Sequence, residues 1–106
     1  MIQILLVCSA GMSTHLLVRR MQQAAPANIT VTATAAATAG EVAKELAPNL
    51  VMLGPQVRFM IDQLRHQVTA PVVILDTQAF MQMDGSALMA QAMAALAPAP
   101  PSPPRA

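Results

Sequence analysis

The run Ile4-Leu5-Leu6-Val7, then Cys8-Ser9-Ala10-Gly11-Met12-Ser13-Thr14, then His15-Leu16-Leu17-Val18-Arg19-Arg20-Met21 decides how the rest of the chain is read. Ile2 to Val7 is short, apolar and rich in branched side chains, as a buried strand is. Ser13 is a good N-cap, so a helix is expected to begin there. Cys8 therefore sits where a strand turns into a helix. The loop between them is small and polar, and Gly11 lets the backbone bend closely around a ligand. Amides at a helix start have no partner inside the helix and carry partial positive charge. They can hold an anion, whether phosphate or thiolate. Such a setting is expected to depress a thiol pKa. Ser9, Ser13 and Thr14 offer hydroxyls to the same anion. Read from residue types alone, Cys8 stands evenly between a nucleophile and a small buried hydrophobe.

Outward from this stretch the pattern is strand and helix in alternation. Leu17, Met21 and Ala24 share one face of the first helix, which Pro26 ends. Ile29-Thr30-Val31-Thr32-Ala33-Thr34 alternates apolar and polar, as an edge strand wet on one face does. Ala35 to Gly40 reads as a linker and Glu41 to Ala47 as a short helix closed by Pro48. Leu50-Val51-Met52-Leu53 is a third strand, broken by Gly54-Pro55. Pro55 suits the first turn of a further helix, with Val57, Met60, Ile61, Leu64 and Val68 on one stripe. Pro71 opens a fourth strand, Val72 to Leu75. Asp76 to Met83 is a loop or single turn, and Asp84 caps a last helix in which Leu88, Ala92 and Leu96 align. The prolines at 98, 100, 101, 103 and 104 stop the pattern. The expected division is a domain over residues 1–97 and a disordered proline-rich tail over 98–106.

The expected fold is α/β: a four-stranded parallel sheet of order 2-1-3-4, helices on both faces, and a phosphatase-like P-loop after the first strand. In such sheets ligands bind at the carboxyl ends of the strands where the chain turns to opposite sides. Cys8 and Gly54 mark those two ends, so Gly54, Pro55 and Gln56 are expected around the Cys8 loop.

Composition narrows the function. The chain has 106 residues, a net charge of +1 and only 10% charged residues, scattered rather than patched. That argues against nucleic acid as partner. No run approaches the roughly 18 consecutive apolar residues of a spanning helix. No basic region precedes the first apolar run, so it does not read as a signal peptide. A single cysteine fits a reducing cytoplasm and leaves no Cys-x-x-Cys redox pair. One cysteine and two histidines make a poor metal site.

Cysteine phosphatases also place a cysteine before a loop at a helix start, but need an arginine six residues on to clamp the phosphoryl group. Here that position is Thr14. A phosphocysteine without that guanidinium should resist water and survive to meet an acceptor, which favours a carrier. His15 and His66 read as exposed helix residues, and Asp76 as a turn cap rather than a general acid. Arg58 is expected on a partner-facing surface, and Met12 and Met83 in loops near the site as an adaptable docking surface.

Cys8-Ser9-Ala10-Gly11-Met12-Ser13-Thr14 with Leu16-Leu17-Val18 resembles the phosphorylation loop of the IIB component of the bacterial sugar phosphotransferase system (PTS), lactose/cellobiose (diacetylchitobiose) family. Leu53-Gly54-Pro55-Gln56-Val57 with Met60 is similar to that family's second signature, and Asp76 with Met83-Asp84-Gly85 to a third. His15 departs from the family's usual small hydroxyl residue and Phe80 from its frequent tyrosine. The resemblance implies a cytoplasmic, monomeric phosphotransferase subunit. Cys8 would take a phosphoryl group from phosphohistidine of IIA and pass it to a sugar, a β-linked disaccharide, imported by the membrane component IIC. The loop from Ser9 through His15 would hold the phosphoryl oxygens, and Gly54, Pro55, Gln56, Arg58 and Met83 would border the partners. No metal or organic cofactor is implied. Two rivals are a low-molecular-weight phosphatase or arsenate-reductase-like enzyme and a non-catalytic regulatory module of the same fold.

Overall fold

Two neighbouring apolar strands send alternate side chains to opposite faces, and each face is covered by its own helices. The computed structural model describes residues 1–9 and 13–96. Strands β1 (Ile2–Cys8), β2 (Ile29–Ala35), β3 (Leu50–Leu53) and β4 (Val72–Ile74) form one parallel sheet of order β2-β1-β3-β4. The expected 2-1-3-4 order is the order found. Helices α1 (Ser13–Ala24), α2 (Ala39–Leu46), α3 (Ile61–Gln67), α4 (Thr77–Met81) and α5 (Gly85–Leu96) complete the chain. Short 3-10 helices at Ala36–Thr38 and Pro55–Met60 lead into α2 and α3.

Ile4 and Leu6 of β1, with Leu50 and Met52 of β3, pack against Leu17 and Met21 of α1 and Leu88, Met89 and Ala92 of α5. Leu5, Val7, Val51 and Leu53 point the other way, onto Ala39 and Ala43 of α2, then Val57, Met60 and Leu64. Cys8 has the parity of Ile4 and Leu6, so its side chain falls on the face that α1 covers. The β1–β2 register pairs Cys8 with Ala35, and the β1–β3 register ends at Val7 with Leu53.

Several local expectations shift. Ala24 is exposed, and the buried face of α1 runs through Leu17 and Met21, with half-buried Val18 beside them. The stretch after Gly54 starts as a 3-10 helix with a kink at Val57 (φ −116°, ψ 20°), although Val57, Met60 and Leu64 are buried together as the stripe required. The linker after β2 is mostly helical, and Asp76 to Met83 contains the five-residue α4. The proline-rich tail lies outside the described residues.

Helices α1 and α5 touch backbone to backbone. A methyl group on Gly85 would lie 2.4 Å from the carbonyl carbon of Arg20 and 2.5 Å from its oxygen. Neither atom can yield without moving α1. Gly85→Ala is therefore expected to cost about 2–3 kcal/mol and to lower the melting temperature by roughly 10 °C or more. Gly40→Ala in α2 is the contrast. Its methyl would meet the far end of the Gln67 side chain at 2.8 Å, which can swing away. That change should be neutral, or stabilising by up to about 1 kcal/mol from helix propensity. Thermal unfolding of the two variants checks the difference.

Candidate functional site

The carboxyl end of β1 delivers Cys8 to the junction of three elements. The thiol is buried, with 3% of the residue exposed. On one side opens a cavity of 160 Å³ lined by Cys8, Ser9, Thr14, His15, Ala33, Thr34 and Ala35. Ser9 and His15 are exposed at its rim and Thr14, in the first turn of α1, is half-buried. The three residues from β2 were not expected from sequence. They follow from the strand register, which sets Ala35 beside Cys8 and Thr34 beside Val7. The Thr34 hydroxyl is 2.7 Å from that of Thr38, which also donates to the Ala35 carbonyl at 3.3 Å, so this end of β2 is tied to the turn after it.

On the other side stands Gly54. Its N–H donates to the Val7 carbonyl at 2.7 Å, extending the ladder one step past β3. A methyl on Gly54 would lie 3.3 Å from Cys8 Sγ and 3.0 Å from Gln56 Oε1. A Cβ here would crowd the sulfur and press Gln56 aside, so the glycine keeps space rather than an unusual dihedral (φ −62°). Pro55 opens the 3-10 helix, and Gln56 and Arg58 are exposed on it.

The electrostatics differ from the sequence expectation. Burial pushes the Cys8 thiol pKa up, and the nearby Gly54 backbone amide offsets only part of that. Desolvation outweighs the donor because a thiolate loses more than a thiol on leaving water. Ala10, Gly11, Met12 and the side chain of Ser13, on which the expected depression rested, lie outside the described residues.

The remaining candidates fall elsewhere. Asp76 caps α4, its carboxylate accepting from the Ala79 N–H at 2.9 Å. His66 is exposed, with Nδ1 donating to the Asp62 carbonyl at 2.7 Å. Met83 is not brought to Cys8. Its carbonyl accepts from Arg20 Nη1 at 3.1 Å, and it borders a different cavity with Arg20, Gln23 and Ser86. Arg20 is seven residues along α1 from Ser13, about 10 Å down the helix axis. Among the described residues no three His, Cys, Asp or Glu side chains cluster to hold a metal, and no helix is long and apolar enough to cross a membrane.

Among the described residues the arrangement presents one buried thiol, with Ser9, Thr14 and Thr34 bringing hydroxyls to the same cavity.

Comparison with known proteins places the chain in a family. The family model described as "PTS system, Lactose/Cellobiose specific IIB subunit" matches residues 3–91. The galactose-specific EIIB component of the PTS of Lactococcus lactis subsp. cremoris is 34% identical over 98 residues, covering 84% of this chain and 91% of that protein. The oligo-beta-mannoside-specific EIIB component of Bacillus subtilis is 35% identical over 96 residues, covering 86% and 92%. The solution structure of the cellobiose-specific phosphotransferase IIB component protein from Borrelia burgdorferi superposes with a TM-score of 0.68 at 34% identity, covering 90% of this chain and 91% of that one.

Proposed function

The chain belongs to the lactose/cellobiose-specific IIB family of the PTS, and from that premise we propose that it is a phosphocarrier working through Cys8. It takes a phosphoryl group from phosphohistidine of a IIA protein and gives it to a sugar held by a membrane component, IIC, while itself remaining in the cytoplasm. In the first step the Cys8 thiolate attacks phosphorus. The S–P bond forms as the N–P bond to histidine breaks, and the freed imidazole nitrogen gains the proton that balances the one lost by the thiol. In the second step a sugar hydroxyl oxygen attacks. The O–P bond forms, the S–P bond breaks with thiolate as leaving group, and the hydroxyl proton goes to solvent or a base at the acceptor. In both steps the loop from Ser9 through His15 holds the transferring oxygens, with Ser13 and Thr14 adding hydroxyl contacts.

The observation that carries this reading is the lining of the Cys8 cavity. Among the described residues it holds hydroxyls and the His15 imidazole, but no guanidinium. The sulfur can accept a phosphoryl group there without an arginine to speed its loss to water. In this reading sugar recognition belongs to IIC. Relatives of nearly equal identity carry galactose, oligo-beta-mannoside and cellobiose in their names, as expected if this component does not choose the sugar.

The test is phosphoryl transfer from a phosphorylated IIA protein, followed by peptide mapping of the label. One phosphocysteine at Cys8 is expected. Label on His15 or His66 contradicts the reading. Rapid release of inorganic phosphate from an aryl phosphate by the isolated chain points to a phosphatase instead.

A further inference from the structure

The cavity beside Cys8 is bordered by the first turn of α1 and the end of β2. A third group approaches the sulfur from the turn after β3. The position that a Gly54 methyl would occupy is 3.3 Å from Cys8 Sγ and 3.0 Å from Gln56 Oε1. The sulfur and the oxygen of a side-chain amide therefore both lie close against the same side of Gly54. The backbone puts Gln56 there by simple means. Gly54 is extended (φ −62°, ψ 150°), Pro55 turns the chain, and the Val57 N–H donates to the Gly54 carbonyl at 3.0 Å. The turn folds the Gln56 side chain back over Gly54 rather than away from the sheet. The sequence places Gln56 around the Cys8 loop and on a partner-bordering surface, and gives its side chain no role toward the sulfur.

A glutamine amide has an acceptor end and a two-hydrogen donor end, interchanged by rotating its last torsion. The acceptor end suits a protonated thiol. The donor end suits an oxygen of a dianionic phosphoryl group on the same sulfur. We infer that Gln56 is a positioning residue of the Cys8 site, its carboxamide bordering the free thiol and donating from Nε2 to the phosphoryl group carried there. The second half of this inference rests on Cys8 being the phosphoryl acceptor; the first half does not. A residue serving only as a docking contact has no need to curl back toward the sulfur. One that touches the carried group gives it a hydrogen bond from the side of Gly54, in the isolated protein and without any partner.

The test uses the full chain alone, so that partner contacts play no part. The first measurement is the pH dependence of Cys8 alkylation by iodoacetamide in wild type, Gln56→Glu and Gln63→Glu. A carboxylate beside the sulfur opposes the thiolate, so Gln56→Glu is expected to move the midpoint up by about half to one pH unit. The same charge at Gln63, exposed on α3, is expected to leave it in place. The second measurement is the phosphorus NMR resonance of the phosphoprotein, and the extent of labelling at equilibrium with a phosphorylated IIA donor, in Gln56→Met. Removing the amide at constant shape should shift the resonance and lower that extent about three- to tenfold, the loss of one hydrogen bond to a charged group at a partly solvated site. Alkylation curves for Gln56→Glu and wild type that superimpose would overturn the inference. So would an unmoved resonance in Gln56→Met accompanied by slower transfer from IIA, which makes Gln56 a partner contact only. A midpoint that moves as expected in a chain taking no phosphoryl group would leave Gln56 beside the thiol and instead remove the carrier reading.

Discussion

Cys8→Ser is expected to take no measurable label from a phosphorylated IIA protein, a loss of at least about a thousandfold, because a serine hydroxyl is far harder to ionise than a thiol. The structure gives this expectation its shape. Cys8 is buried at the end of a central strand, so the hydroxyl that replaces it sits in the same place and the fold is retained. The substitution should cost about 1–2 kcal/mol for burying a hydroxyl, too little to unfold a domain with a typical reserve of ~5–15 kcal/mol. A chain that stays folded and is inert locates the chemistry at the sulfur. The pH dependence adds a second check. Burial pushes the thiol upward, so at neutral pH the reactive thiolate is the minor form. Below that raised value each pH unit increases the thiolate fraction by up to about tenfold. Initial labelling of wild type should climb accordingly through the neutral range. A flat profile would mean that the loop amides, or the docked donor, pull the proton off before attack.

What could be read from sequence divides along a physical line. Periodicity is local, so the strands and helices that bury a repeating face were legible: β1 and β3 from unbroken apolar runs, β2 from its alternation, α5 from Leu88, Ala92 and Leu96. Asp84 reads as a cap and is one, its carboxylate accepting from the Ala87 N–H at 3.0 Å. Helix α4 has five residues and too few turns to show a period. The 3-10 start at Pro55 was hidden because its buried residues fall on the same stripe a longer helix would use. The site was legible where chemistry is carried by residue type. Cys8, Thr14 and Gly54 announce themselves. Ala33 and Ala35 do not, since two alanines become a wall only when strand pairing sets them beside the sulfur. A loop methionine carries no signal of what it will face, and only the Arg20 contact shows that Met83 borders a second cavity. The direction of the thiol pKa was out of reach for a related reason. Burial is a property of the assembled core, not of the seven residues around Cys8.

Thr14→Arg should turn a durable phosphocysteine into a short-lived one, shortening its life in water about ten- to a hundredfold. Thr14 lies on the cavity lining with Cys8, in the first turn of α1, at the position where a phosphatase loop carries its clamp. A guanidinium there offers paired donors to two phosphoryl oxygens and neutralises the charge that repels an attacking oxygen. The opposite wall is built of Ala33, Thr34 and Ala35, small enough to admit a longer side chain. A positive charge at a helix start is mildly unfavourable, about 0.3–1 kcal/mol, so the fold tolerates it. The gain stops short of full phosphatase activity because a second part is missing. The carboxylate after β4, Asp76, is engaged as the cap of α4. No carboxylate lies among the described residues that line the Cys8 cavity, so none is placed there to activate the attacking water. Thr14→Lys separates charge from geometry: it supplies the charge without the fork and should accelerate loss by less than arginine does. Thr14→Ala, which removes a hydroxyl and adds no charge, should change the lifetime by no more than about threefold. Following inorganic phosphate release from the isolated phosphoproteins decides among them. If arginine and alanine variants hold their phosphate equally long, the absence of a guanidinium is not what preserves the intermediate, and its durability must come from the exclusion of water around a sulfur that the sheet already buries.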